Sequence, residues 1–353
     1  MYDYMPIDIG DHWAFDSLIT FVDADLLSGY KLDGETYIKP NTSITRAEFA
    51  AILVRVLGLE NSPITAKEFT DVKKGTWYYE PIMIARSNGI VNGMTETTFE
   101  PNTLLQRDQV AVMIVNTFKA TISFNQGTPK KFTDVKNYWA TESINQASRV
   151  GIITGQTNTL FNPYGKATRA EAITMADRAL NLETNNVPAD EVLQNLVLAQ
   201  QVGLFQSLQA KDLTQLAQVN NMYNTGYYKA SVTEGIIYLS EFTQNGFDIS
   251  FNMTGTPKAT VVQKSDRFAE VTVNGMTYEI TVKFGGSTYT ETLDSMTYYL
   301  KLMPNENKWK IYSTLEDLLF KKGSSSYYEL PGKCTDARFI SAAICPRVTL
   351  SSG

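Results

Sequence analysis

Residues 37–59 read YIKPNTSITRAEFAAILVRVLGL, residues 99–118 read FEPNTLLQRDQVAVMIVNTF, and residues 161–180 read FNPYGKATRAEAITMADRAL. In each, an arginine stands six residues after a proline: Arg46 after Pro40, Arg107 after Pro101, Arg169 after Pro163. Upstream of the first lie DIGDHWAFDSL and LLSGY, of the second FTDVKKGTWYYEPI and GIVNG, of the third FTDVKNYWATESI and GIITGQ. Trp13, Trp77 and Trp139 fall 64 and 62 residues apart, and the three arginines 61 and 62 apart. Self-similarity at a fixed period marks units that bury a shared core only by packing on one another.

Each unit predicts a helix, a loop and a second helix. Phe15, Leu18, Ile19 and Val22 recur at the spacing of one buried helix face. Gly89 and Gly151 stand where a left-handed residue ends the first helix, with Asp25 in their place in the first unit. The second helix starts legibly. Thr45 and Glu48, and Thr168 and Glu171, have the spacing of a capping box, while Gln106 and Gln109 make a weakened version. Ile44 and Phe49 are spaced as a hydrophobic staple, and Phe49, Ile52, Leu53 and Val56 face the core.

Capping needs Thr and Glu but not the Arg between them, which sits where the helix macrodipole disfavours a cation. One reading makes Arg46, Arg107 and Arg169 receptors for a carboxylate or phosphate beside a helix N-terminus. The other makes them ion pairs with a neighbouring unit. Trp13, Trp77 and Trp139 likewise read either as packing between units or as platforms for a sugar ring.

This succession of FTDV (69–72 and 132–135), Trp, GI(V/I)xG, F-x-P and TRAE resembles the S-layer homology domain, a module of bacterial surface proteins usually found in three tandem copies. The resemblance covers residues 8–182. It implies a three-pronged, pseudo-trimeric bundle whose grooves bind secondary cell-wall polysaccharide, often through a terminal pyruvylated N-acetylmannosamine. It places ligand contacts at Arg46, Arg107 and Arg169, at Trp13, Trp77 and Trp139, and at the loop glycines Gly29, Gly93 and Gly155. Two departures stand out. The second unit has QRDQ for TRAE, which predicts a groove that binds weakly or only shapes the others. The first lacks an FTDV opening and carries the longer insert GYKLDGETYIKPN.

The 353 residues include 31 basic and 37 acidic side chains, a formal net charge of −6 that argues against a nucleic-acid or anionic-membrane binder. No apolar run reaches transmembrane length. His12 is the one histidine, and Cys334 and Cys345 the two cysteines. That scarcity argues against His-dependent catalysis and a His/Cys zinc site. No GxxxxGK(S/T) or GxGxxG motif marks a nucleotide cofactor and no cofactor is expected, and Asp23-Ala24-Asp25 fails the EF-hand template. The opening MYDYMPIDIG has no signal-peptide pattern, so a secreted protein would have lost its signal.

Beyond Leu182, ETNNVPAD reads as a linker. Residues 190–220 predict a helix broken near Gly203, or two helices in succession. From about 235, β-branched and aromatic residues predict strands, with hairpin turns at Asn274-Gly275, Gly285-Gly286 and Pro304–Asn307. This order is similar in pattern to the NTF2-like and cystatin-like folds. The expected fold class is multi-domain: an all-α bundle of three repeats (8–60, 69–120, 132–182), a linker (183–189), an α+β domain with an antiparallel sheet (190–322), and a tail (323–353) whose cysteines are spaced for a disulfide hairpin or mark a grafted peptide. The expected function is non-enzymatic anchoring to the wall or S-layer of a bacterium. The alternatives are a wall-attached enzyme with a carboxylate site in the C-terminal domain, or a lattice subunit that self-associates or recruits a protein through it.

Overall fold

A computed structural model describes residues 2–315; the expected tail, with both cysteines, lies outside them. The three repeats supply paired helices: α1 (Phe15–Asp23) and α2 (Arg46–Leu57), α3 (Tyr79–Ser87) and α4 (Arg107–Phe118), α5 (Thr141–Arg149) and α6 (Arg169–Leu180). The stripe Phe15, Leu18, Ile19 and Val22 is buried, as is Phe49, Ile52, Leu53 and Val56. Just past each first helix a residue turns left-handed, Asp25 at φ 59°, Gly89 at 68° and Gly151 at 80°. Asp25 accepts the Tyr4 hydroxyl at 2.6 Å, which ties the non-glycine member to its turn.

A cycle of main-chain bonds closes the three repeats on one another. Ile44 donates to the Ala167 carbonyl (3.0 Å), Ala167 to Leu105 (2.9 Å) and Leu105 to Ile44 (2.9 Å). All three side chains are fully buried. The second helices then start against the following repeat. Arg46 and Ala47 donate their amides to Thr103 and Pro101, Arg107 and Asp108 to Gly165 and Pro163, and Arg169 and Ala170 to Thr42 and Pro40. Helix N-termini expose amides that lack intrahelical partners; here the next repeat's loop satisfies them.

The repeat region is not all helix. The insert of the first repeat forms a ribbon of β1 (Tyr30–Leu32) and β2 (Glu35–Tyr37). Asp33 and Gly34, at φ 51° and 84°, make the turn between them. Positive φ at both central residues suits a right-twisted hairpin and favours an Asp-Gly pair.

The C-terminal part runs α7 (Asp190–Gln209), α8 (Leu213–Tyr223), α9 (Gly226–Gln244), then β3 (Asp248–Lys264), β4 (Phe268–Phe284), β5 (Ser287–Leu293), β6 (Met296–Met303) and β7 (Lys308–Thr314). The sheet is antiparallel in the order β3-β4-β6-β7, with β5 also paired to β4. Leu193, Val197, Leu204 and Leu208 of α7 share a core with Val271, Val273, Leu300 and Ile311 of the sheet. Two expectations are corrected. Of the two readings of residues 190–220, two helices in succession is the one observed and a break near Gly203 is not: α7 continues through Gly203, which lets Val219 approach closely, and the break comes at Lys211, φ 53°. Asn274-Gly275 is no hairpin turn but lies inside β4, where Gly275 (φ 81°) falls at a register shift next to the Gly255–Met276 pair, Gly255 also being left-handed (φ 88°). A bulge uses the same left-handed residue as a turn. The hairpin turns are at 265–267, at Gly285-Gly286 and at 304–307.

The two parts meet through polar groups around a shared apolar seam. Tyr312 of β7 is buried in the core of the repeats. Lys301 of β6 donates to the Ala24 carbonyl at the end of α1, where the helix dipole favours a cation. Ser313 donates to the buried Asp23 carboxylate at 2.9 Å. Glu183 takes Arg267 Nε at 2.8 Å, and its carbonyl takes the Asp266 amide at 2.8 Å.

Candidate functional site

The joints between repeats are built three times from equivalent parts. Asp71 accepts the amides of Phe99 (2.9 Å) and Glu100 (2.7 Å). Asp134 does the same for Phe161 (3.0 Å) and Asn162 (2.6 Å), and Asp8 for Ile38 (2.9 Å) and Lys39 (2.7 Å). Asp8 therefore fills the role of the FTDV aspartate in the repeat that lacks FTDV. Lys39, Glu100 and Asn162 are all left-handed, at φ 55°, 61° and 58°, and each precedes the landmark proline. Burial works against ionisation of Asp134, but the Phe161 and Asn162 amides outweigh it and hold the carboxyl below its ordinary range.

Against each of these clamped loops lies the arginine of the preceding repeat. Arg46 Nε donates to Phe99 O (2.9 Å), Arg107 Nε to Phe161 O (2.8 Å) and Arg169 Nε to Ile38 O (2.8 Å). Their guanidinium carbons lie 4.6, 4.9 and 4.9 Å from the ring centroids of Phe99, Phe161 and Tyr30. The residues are only 5%, 3% and 3% exposed. Arg107 is ion-paired with Glu171, and Arg169 with Glu48 at 3.0 Å, each a carboxylate of the following repeat. Inter-repeat pairing thus accounts for two of the three arginines, and the helix-start amides expected to meet an anion are already engaged. Burial disfavours Glu48 ionisation; the Tyr30 hydroxyl, the Thr45 amide and Arg169 together overcome it and lower its pKa.

The indoles are placed differently. Trp13, Trp77 and Trp139 are 64%, 61% and 64% exposed, so core packing does not explain them. Two of them are tied to a joint through a neighbouring ring. Tyr138 packs edge-on against Trp139 and donates its hydroxyl to Asp108 (3.1 Å), the neighbour of Arg107. His12, with its ring centroid 5.5 Å from that of Trp13, bonds Asn41 at 3.1 Å, next to the Thr42 carbonyl that receives the Arg169 amide. Because the Ala14 amide donates to His12 Nδ1, the tautomer carries its proton on Nε2. Trp77 packs edge-on with Tyr78 in the second repeat.

The loop glycines complete the joints. Arg46 Nη2 reaches Asn92 O at 3.1 Å, beside Gly93, and Gly29 precedes the Tyr30 ring that faces Arg169. A Cβ on Gly155 (φ 83°) would lie 2.6 Å from both Phe132 Cε1 and Thr157 O and 2.8 Å from Leu160 O. Gly155→Ala is accordingly expected to destabilise the fold by about 1–3 kcal/mol, read as a lower urea midpoint. Gly10→Ala, which meets nothing within 4 Å, is expected to leave the midpoint unchanged.

Among the described residues no helix is long and apolar enough to cross a membrane, and no group of three or more His, Cys, Asp or Glu is placed to hold a metal ion. Residues 8–50, 68–111 and 131–173 each match the S-layer homology domain, so the chain carries three of these domains in tandem. It is 31% identical over 175 residues to an amylopullulanase of Thermoanaerobacterium thermosulfurigenes, covering 48% of this chain and 9% of that protein. It is 30% identical over 182 residues to an S-layer protein of Bacillus anthracis, covering 50% and 22%. With a cellulosome-anchoring protein of Acetivibrio thermocellus it shares 29% identity over 168 residues, covering 43% and 37%. The chain spans less than half the length of each of these relatives.

Proposed function

We propose that the three S-layer homology domains fasten this protein non-covalently to the cell wall of a bacterium by binding secondary cell-wall polysaccharide at the joints between repeats, with the C-terminal domain displayed at the surface. One observation carries the reading: an indole left in water at the same repeat position in all three repeats, each of which also contributes a buried arginine and a tight glycine loop. A single exposed aromatic needs no explanation, but the same one recurring in all three repeats is a row of platforms for the apolar faces of sugar rings. The Arg46 guanidinium, which among the described residues has no carboxylate in ion-pair contact, favours a glycan end that carries one, such as a pyruvyl ketal on N-acetylmannosamine. An amylopullulanase, an S-layer protein and a cellulosome-anchoring protein all align with the chain over about half its length. That supports an attachment module over a catalytic one.

The test is co-sedimentation of the full chain with walls that are intact, stripped of polysaccharide, or lacking the ketal. The wild type is expected to pellet with intact walls only. Trp13→Ala/Trp77→Ala/Trp139→Ala is expected to reduce pelleting to background, while each exposed substitution moves stability by no more than about 0.5 kcal/mol. Equal pelleting with stripped walls, or a triple variant that pellets like the wild type, overturns the proposal.

A further inference from the structure

Glu48, Gln109 and Glu171 occupy the same place, the third residue of the second helix, in the three repeats. The two glutamates do double duty. Glu48 Oε2 takes the Thr45 amide (2.8 Å) and Glu171 Oε2 the Thr168 amide (2.9 Å), while their Oε1 atoms pair with Arg169 and Arg107. Each acid is therefore anchored by its own helix cap as it neutralises the neighbour's cation. Gln109 keeps the first task, its Oε1 taking the Gln106 amide at 3.0 Å, but brings no charge to Arg46. Arg46 is left with two main-chain carbonyls and the face of Phe99. Among the described residues no carboxylate lies within ion-pair distance of it. Burial lowers its pKa, with only Glu100 and Asp71 opposing. Asp71 already spends both oxygens on main-chain amides, and Glu100 is exposed and accepts the Thr103 hydroxyl.

The joint between the second and third repeats departs in the opposite direction. Asp108, buried beside Arg107, stands where the other repeats have Ala47 and Ala170. In ion-pair contact with its arginine that joint thus holds one carboxylate, Glu171, with Asp108 buried in addition; the joint between the third and first holds one, Glu48, and the joint between the first and second holds none among the described residues. A ligand carboxylate approaching Arg107 or Arg169 meets a cation already paired and a like charge fixed beside it. At Arg46 the same carboxylate would neutralise a buried cation that has only dipoles around it.

We infer that the joint between the first and second repeats is the carboxylate-reading groove of this chain, and that Glu48 and Glu171 act as built-in anions that close the other two to acidic sugars. This rests on the wall-glycan reading above. The QRDQ sequence, which reads as a degraded motif, is then what opens the site, because Gln109 withholds the internal competitor.

The test is calorimetric titration of the full chain with the methyl glycoside of 4,6-O-pyruvylated N-acetylmannosamine, beside its neutral 4,6-O-isopropylidene counterpart. The wild type is expected to take one acidic probe. Gln109→Glu is expected to weaken that binding by at least about tenfold. Glu48→Gln/Glu171→Gln is expected to raise the number of acidic probes bound, since Gln109 shows that glutamine at this place still accepts the cap amide. Three equivalent sites in the wild type, or an affinity that Gln109→Glu leaves unchanged, overturns the inference and leaves wall binding standing. A wild type that fails to distinguish the acidic from the neutral probe overturns carboxylate reading at every joint, this one included.

Discussion

Arg267→Ala is expected to lower the unfolding free energy by about 3–5 kcal/mol, the range for removing one partner of a buried ion pair. Glu183 has no exposure at all, and Arg267 Nε at 2.8 Å is its counter-charge. The pair sits at the seam between the repeats and the sheet, and Arg267 Nη1 also reaches the Leu57 carbonyl at 3.4 Å. The segment after the third repeat is pinned here, with the Asn186 amide on Asp266 at 2.7 Å, so the loss is expected to fall on the union of the two parts. Replacing both partners with apolar residues of similar volume is expected to recover much of it, because no unpaired charge then remains.

The pH dependence has a definite sign. Burial pushes the Glu183 carboxyl above its ordinary range, with Arg267 the main opposing influence. A carboxyl raised on folding binds more protons in the folded than in the unfolded chain, so its contribution becomes more favourable as pH falls through the raised range. The gain levels off below the unfolded value near 4.3. Without Arg267 the carboxyl rises further. The deficit of Arg267→Ala is therefore greatest at neutral pH and shrinks towards mild acid. Urea titrations of both proteins at pH 7 and pH 5 read this directly (about 1–3 kcal/mol per molar urea is the usual slope). An equal deficit at both pH values would mean that lost packing, not the stranded carboxylate, sets the cost.

What was legible in the sequence was local. The capping residues, the left-handed helix ends and the buried stripes depend on neighbours three or four positions away, and they stand where the spacing put them. The arginines depend on carbonyls 53, 54 and 131 positions away, so the sequence left two roles open that only the closing of the ring separates. Asp8 was hidden because its flanks share nothing with FTDV beyond the aspartate, although it clamps the same two amides. Asp33-Gly34 carried a turn signal inside what read only as an insert. Asn274-Gly275 misled because a left-handed glycine serves a bulge as well as a hairpin, and the length of β4 decides between them. Spacing fixed where the tryptophans fall but not that they stay in water, which is the observation their proposed role rests on.

The same bookkeeping of charge ranks the arginines by what their removal strands. Arg107→Ala leaves Glu171 without its cation at a joint that also buries Asp108, and Phe161 O loses its donor. Burial already raises the pKa of Asp108, with the Tyr138 hydroxyl opposing, so this carboxylate is held in place at a cost before Arg107 is removed. The expected loss is about 3–5 kcal/mol. Arg169→Ala strands Glu48 alone, which keeps the Tyr30 hydroxyl and the Thr45 amide, and is expected to cost less. Arg46→Ala strands no contacting acid, only the carbonyls of Phe99 and Asn92, for about 1–3 kcal/mol. Urea midpoints are thus expected to fall in the order Arg46→Ala, Arg169→Ala, Arg107→Ala, the last lowest. Binding of the acidic probe runs the other way, lost in Arg46→Ala while the fold survives. Equal destabilisation by all three would show that the carbonyl bonds they have in common hold the ring together, and that the internal carboxylates add nothing to it.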